Sequence, residues 1–195
     1  MIKKICALAI ACCMSSLYAE ITQTWLEIKP GYFFFANQTL GKIYHGGFEI
    51  QGSLSYPLWE MIALYGSLGY LQVKGRSLQG NQKTSIFQVP LDIGLRIVAD
   101  LNECANGYLS IGPRYFYFRQ HNDSIYVNRN ICRNGLGFFI NGGCNFVKNE
   151  YFLLGIFGEY AFEQLSFNSM IPNVYGRQNM QVGGFTFGAS IGFVF

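Results

Sequence analysis

Residues 87–98 read Phe-Gln-Val-Pro-Leu-Asp-Ile-Gly-Leu-Arg-Ile-Val and alternate without a slip. Phe87, Val89, Leu91, Ile93, Leu95 and Ile97 fall on one side of an extended chain. Gln88, Pro90, Asp92, Gly94, Arg96 and Val98 fall on the other. Successive side chains of a strand point to opposite faces, so this period of two predicts a strand with one apolar face. The last eleven residues repeat the pattern. Phe185, Phe187, Ala189, Ile191, Phe193 and Phe195 oppose Thr186, Gly188, Ser190, Gly192 and Val194.

Outward from these two runs, six further segments alternate with less contrast. Leu26, Ile28, Tyr32 and Phe34 oppose Glu27 and Lys29, and Phe48, Ile50, Leu54 and Tyr56 oppose Glu49, Gln51, Ser53 and Ser55. Ile62, Leu64, Leu68 and Tyr70 oppose Ala63, Tyr65, Ser67 and Gly69, and Leu109, Ile111, Tyr115 and Tyr117 oppose Ser110, Gly112 and Arg114. Leu136, Phe138, Ile140 and Phe146 oppose Gly137, Asn141 and Asn145. Phe152, Leu154, Ile156, Tyr160 and Phe162 oppose Gly155, Glu159 and Glu163. Eight strands of about ten to fourteen residues result, long enough to cross a bilayer at a tilt. Tight connections at 57–60 and 148–150, and a modest one near 100–106, alternate with longer ones at about 36–46, 74–85, 120–133 and 165–181. That rhythm predicts an eight-stranded antiparallel up-and-down barrel with turns at one rim and loops at the other.

Alternation alone does not separate a soluble barrel from a membrane barrel; volume and charge do. Eight faces this bulky would overfill an interior that eight strands only just leave room for. Only 13% of the 195 residues are charged, against 50% hydrophobic and 17% aromatic, with 23 glycines. An ordinary domain carries about 25% charged residues. The small polar faces would make a water-facing surface short of Lys and Glu, yet they suit a crowded lumen. The bulky faces are therefore expected to meet lipid, making the barrel transmembrane. Beyond residue 20 no run approaches the ~18 apolar residues of a membrane helix.

Two further features fit. Tyr32, Phe34, Phe48, Tyr70, Phe87, Tyr117, Phe162 and Phe185 are expected near the long-loop rim as one interfacial girdle. Tyr56, Trp59, Tyr108, Phe146, Phe152, Phe193 and Phe195 would form the other. The long loops hold Lys42, Lys74, Arg76, Lys83, Arg119, Arg129, Arg133 and Arg177 against Asp123 alone. The short turns hold Glu60, Asp100, Glu103 and Glu150 against Lys148. At the start of the chain, Lys3 and Lys4, the apolar run Ile5–Met14 and the stretch Ser15–Ala19 read as a secretory signal peptide of residues 1–19. A lipoprotein cleavage before Cys12 or Cys13 would need a very short apolar stretch. Residues 20–195 then form one barrel domain with 12 basic and 11 acidic residues, a balance that points to no nucleic acid.

The signal peptide, the run Val89-Pro90-Leu91-Asp92-Ile93-Gly94-Leu95 and the terminal Phe187–Phe195 together resemble the small eight-stranded bacterial outer-membrane barrels of the OmpA, OmpX and OmpW type. The resemblance covers the whole of residues 20–195 as a pattern. It implies the outer membrane as location, with outer-membrane lipid and lipopolysaccharide as surroundings. In that family a final strand with alternating apolar residues and a last Phe is read by the barrel-assembly machinery. This implies an assembly signal in Phe187, Ile191, Phe193 and Phe195, with Phe193 standing where Tyr is common.

The inward charges are Glu27, Lys29, Glu49, Asp92, Arg96, Arg114, Glu159 and Glu163. In a narrow lumen they must pair or hydrogen-bond, or lose their charge. A polar network plugging the barrel is the expectation, with a narrow gate or channel of the OmpW-like kind, for small or hydrophobic solutes, as the alternative. A lipid A-modifying enzyme is the remote one, since the family also contains lipid-modifying enzymes. The one His near a Ser, in His121-Asn122-Asp123-Ser124, lacks a third group to orient it. No catalytic, cofactor or metal site is expected, and Cys104, Cys132 and Cys144 show no ligand spacing. A Cys104–Cys132 bridge would have to cross the membrane. The sequence leads to a non-enzymatic barrel displaying basic loops, with an envelope-structural or surface-binding role and an unidentified surface ligand.

Overall fold

The computed structural model describes residues 23–77, 82–102, 105–123, 130–149, 151–168 and 177–195. The expected signal peptide lies outside them, as do Glu103, Cys104, Ser124, Arg129 and Glu150. In chain order the elements are β1 (Trp25–Phe35), α1 (Gln38–Tyr44), β2 (Gly47–Trp59), β3 (Ile62–Arg76), β4 (Lys83–Asn102) and β5 (Ala105–Asn122). There follow β6 (Asn130–Asn149), β7 (Phe152–Asn168), β8 (Arg177–Gln181) and β9 (Gly184–Val194). Each strand pairs antiparallel with the next through β7, and β9 pairs with both β7 and β1. The ring is closed, with eight strands around it. A closed antiparallel ring satisfies every ladder group internally, the condition for crossing a bilayer on strands.

β8 is the upper part of the last ring strand and not an extra one. Gln164 faces Gln181 and Tyr160 faces Phe185, a single register along β7. The break comes where β1 ends: Ala36 donates to the carbonyl of Gly183 and the chain turns away into α1. Strands β4, β5 and β6 have 20, 18 and 20 residues. This exceeds the ten to fourteen expected, and about ten tilted residues suffice for the membrane. Much of what the sequence suggests as loop is therefore strand. Arg76 pairs with Lys83 across the β3–β4 hairpin, and His121 pairs with Asn130 across β5–β6.

The first long connection is also ordered. Asn37 accepts hydrogen bonds from the amides of Thr39 and Leu40, at 2.9 and 3.3 Å, and so caps α1. His45 and Gly46 end the helix at φ 56° and 98°, in the left-handed region that suits glycine. Leu40 and Tyr44 are buried. Among the described residues no helix is long and apolar enough to cross a membrane.

On every ring strand the faces deduced from alternation are the observed ones. Ile28, Phe48, Leu68, Ile93, Ile111, Phe138, Ile156 and Phe187 stand outside, each between 55 and 62% exposed. One girdle assignment is wrong. Tyr108 is 5% exposed and points inward, as its neighbour Leu109 on the outer face requires.

Candidate functional site

The interior has three tiers. Nearest the turn rim, Trp25, Ala63, Val98, Tyr108, Leu153, Phe157 and Val194 form an apolar cluster. Nearest the long-loop rim a larger one gathers Phe33, Leu71, Val73, Ile86, Phe116, Phe118, Leu165 and Val182, with Leu40 and Tyr44 of α1 seated among them. The expected lumen of small and polar residues is thus only the middle tier. The ends are filled with rings and branched chains, and the polar groups between them are buried.

All eight inward charges fall in that middle tier, none more than 3% exposed. They gather in two groups. In the upper one Arg114 lies directly across from Asp92 in the β4–β5 ladder. Its Nε and Nη2 donate to the two Asp92 oxygens at 2.6 and 2.7 Å, a planar fork meeting a planar carboxylate. Arg114 Nη2 also donates to Glu159 at 2.5 Å, and Nη1 reaches Glu163 at 3.4 Å. Ser67 donates to Asp92 at 2.6 Å and Asn141 to Glu159 at 2.9 Å. Gln88 donates to Glu163. The Gln51 amide donates to Glu159 and Glu49, and Thr186 donates to Glu49 at 2.6 Å.

The lower group centres on Glu27. Arg96 Nη1 donates to it at 2.5 Å while Arg96 Nε donates to Ser110 at 3.0 Å. Lys29 Nζ stands 3.7 Å from the same carboxylate. Its ammonium is ringed by Tyr108, Tyr65 and Phe157, with centroids 5.0, 5.3 and 5.4 Å away. The Arg96 guanidinium lies 4.2 Å from the Tyr108 ring and 4.5 Å from Tyr65. Cation–ring attraction strengthens when both partners are removed from water. The sequence does not mark these rings as part of the site. Tyr65 stood on the inward face in the sequence, but nothing there paired it with a cation.

Gly94 and Gly112 let the backbones of β4 and β5 come close together. They face the lumen between the Asp92–Arg114 and Arg96–Ser110 pairs, opposite one another on β4 and β5. A Cβ on Gly94 would run into the carbonyl oxygen of Ile111, so the position requires its bare backbone.

Elsewhere the sequence candidates stay apart. His121 hydrogen-bonds Asn130 at 2.7 Å and stands 3.3 Å from Asp123, on the outer wall far from the ionic tier. Cys132 is exposed and Cys144 half-buried, both as free thiols on the outer face. Phe187, Ile191 and Phe193 lie on the outer face of β9, and Phe195 is exposed just beyond its end. Of the basic loop residues, Lys74, Arg76, Lys83, Arg119, Arg133 and Arg177 are on strands and Lys42 is on α1. Burial pushes the Tyr44 hydroxyl above its ordinary range, so the phenol keeps its proton. It shares a 2.7 Å hydrogen bond with Thr84 and accepts another from Gln120 at 3.1 Å.

An apolar exterior on a closed ring, with its ions gathered inside, defines a transmembrane β-barrel. Its solved neighbours are small outer-membrane barrels. OprG from Pseudomonas aeruginosa aligns at a TM-score of 0.64 and 12% identity, covering 92% of this chain and 99% of that one. Neisserial surface protein A, NspA, aligns at 0.54 and 14% identity, over 86% of this chain and 96% of the other. Ail of Yersinia pestis, solved in complex with the heparin analogue sucrose octasulfate, aligns at 0.51 and 16% identity, over 89% and 98%. No protein-family model and no curated protein matches the sequence. The fold is that of the small eight-stranded bacterial outer-membrane barrels, of the OmpA, OmpX and OmpW type that the sequence resembles.

Proposed function

We propose that the protein is a non-enzymatic barrel of the bacterial outer membrane with a plugged lumen, serving an envelope-structural or surface-binding role through its basic long-loop rim. The observation that carries this reading is the ionic tier closed between two apolar ones, with α1 seated in the upper. An ion crossing the barrel would have to part Arg114 from three carboxylates and pass both apolar layers. Removing a partner from such a buried pair is expensive. The rim charges suit lipopolysaccharide phosphates, and the outer face of β9 suits the barrel-assembly machinery. Planar-bilayer recording tests the plug. The expected trace is flat; reproducible steps that vanish on changing Arg96 or Arg114 overturn it.

The narrow channel for hydrophobic solutes has one observation in its favour: the upper tier is apolar and its cover, α1, is a single short helix. Uptake of an apolar dye into proteoliposomes that rises when residues 38–44 are replaced by a glycine-serine linker supports the channel over the plug. For the enzyme reading, lipid A with unchanged mass after expression of the protein removes it.

A further inference from the structure

The outer wall of β3, β4 and β5 carries a feature that the plug does not use. Tyr70, Phe87 and Tyr117 pack edge to face there, with centroids 5.4 and 6.2 Å apart, in the upper aromatic girdle. Directly above them the outward residues fall into rows. Arg119 pairs with Phe87, Lys74 with Ser85 and Ser85 with His121, and Arg76 with Lys83. Lys74, Arg76, Lys83 and Arg119 are all exposed. A cleft of about 470 Å³ runs among Lys74, Arg76, Lys83, Ser85, His121 and Asp123. A second of about 260 Å³, sharing Ser85 and His121 with it, continues down through Arg119 to Phe87.

Two properties make this more than a solvated basic edge. Arg76 and Lys83 are a like-charged pair directly opposite one another across a ladder, an arrangement that repels unless an anion lies between. Among the described residues none of the four cations has a carboxylate within ion-pair distance, and Asp123 stands beside His121 instead.

We infer that this groove holds the phosphorylated headgroup of an outer-leaflet lipid, its phosphate between Arg76, Lys83 and Lys74 and its acyl chains running down past Phe87. The inference rests on the membrane reading above and names the partner of the basic rim. Height and direction select a lipid over a soluble polyanion. The cations face sideways, immediately above the girdle that marks the membrane interface; the cleft reaches down to Phe87, and the outer wall of β4 continues apolar below it through Val89 and Leu91.

The test uses the full-length barrel in phosphatidylcholine nanodiscs, doped with either bisphosphorylated or dephosphorylated lipid A. Binding is read by native mass spectrometry, and folding of every variant is checked by heat-modifiable gel mobility. Wild type should retain the phosphorylated lipid and release it as salt rises. The variant K74Q/R76Q/K83Q should bind roughly a hundredfold more weakly, about fivefold per charge removed. Adding E60Q and D100N at the opposite rim restores two units of net charge and should not restore binding. The proposal is overturned if the triple variant binds as wild type does, or if E60Q and D100N rescue it. It is equally overturned if the dephosphorylated lipid binds as well, if millimolar inorganic phosphate displaces lipid A, or if only sucrose octasulfate binds. Failure of the plug shows in bilayer conductance and leaves these measurements untouched.

Discussion

Ile93 and Asp92 are neighbours on β4 and live under different rules. Ile93 is 58% exposed and meets nothing that requires it to be isoleucine. Asp92 is 1% exposed, forked by Arg114 and hydrogen-bonded by Ser67. The outer face asks only for hydrocarbon, because lipid tails pack against any apolar shape. The inner face asks for particular atoms, because each ion there depends on a partner from another strand. The same alternation that writes both faces therefore carries two kinds of information. Outside it specifies a solvent, and inside it specifies pairs.

Breaking a pair should have the largest effect. Arg114→Met keeps much of the volume and leaves Asp92, Glu159 and Glu163 without their shared cation. The expected loss is about 3–5 kcal/mol, the usual result of stranding a buried charge. Urea unfolding in detergent, followed by the heat-modifiable band, measures it. Arg114→Met combined with Asp92→Leu should recover part of the loss, since the two residues face each other and their effects will not add. If Arg114→Met costs less than about 1 kcal/mol, the interior is wet and the contrast between the faces collapses.

Breaking the solvent rule comes next. Ile93→Arg puts a charge near the middle of the apolar belt and should cost about 2–4 kcal/mol, read in the same unfolding assay. Ile93→Leu should change stability by no more than about 0.5 kcal/mol. A truncation inside, Leu153→Ala in the buried lower tier, should cost about 2–5 kcal/mol because it leaves a cavity, whereas Ile93→Ala outside leaves a gap that lipid can fill and should cost less.

This division also explains how much was legible in the sequence. Strand number, order and facing all follow from period two, and that period survives wherever lipid lies on one side and polar groups on the other. It is lost towards the upper rim. Phe33-Phe34-Phe35 and Tyr115-Phe116-Tyr117-Phe118 are aromatic on both faces, so the upper tier of Phe33, Phe116 and Phe118 gave no contrast. Above the membrane the contrast weakens in the other direction. Lys74, Arg76, Lys83 and His121 are polar on the outer face, which made strand ends look like loops. The eight lumen charges were legible as inward, but their partners were not. Arg114 meets Glu159 across the lumen, 45 residues away, through barrel closure that no local pattern encodes. Tyr108 shows the remaining error: an aromatic near a strand end was assigned to the girdle, when the parity of its strand already placed it inside.

α1 lies between the two regimes and supports the smallest expected effect. Its seven residues are too few to hold a helix by propensity alone. Beyond the Asn37 cap and the His45-Gly46 stop, the sequence offered little to mark it. What holds it is the upper tier, through Leu40 and Tyr44. Tyr44→Phe keeps the ring packed and removes only the hydroxyl, so Gln120 loses that acceptor while Thr84 keeps Asn122 and the His121 carbonyl as alternatives. The expected cost is about 1 kcal/mol or less. It should appear locally, as about fivefold faster amide exchange over residues 40–44 with exchange in β4 and β5 unchanged. Exchange that quickens throughout the barrel would mean that α1 is part of the common fold and not a separately seated cover. A strictly local response leaves the ion pairs beneath α1 closed, so that α1 loosens as a cover while the ionic tier stays shut.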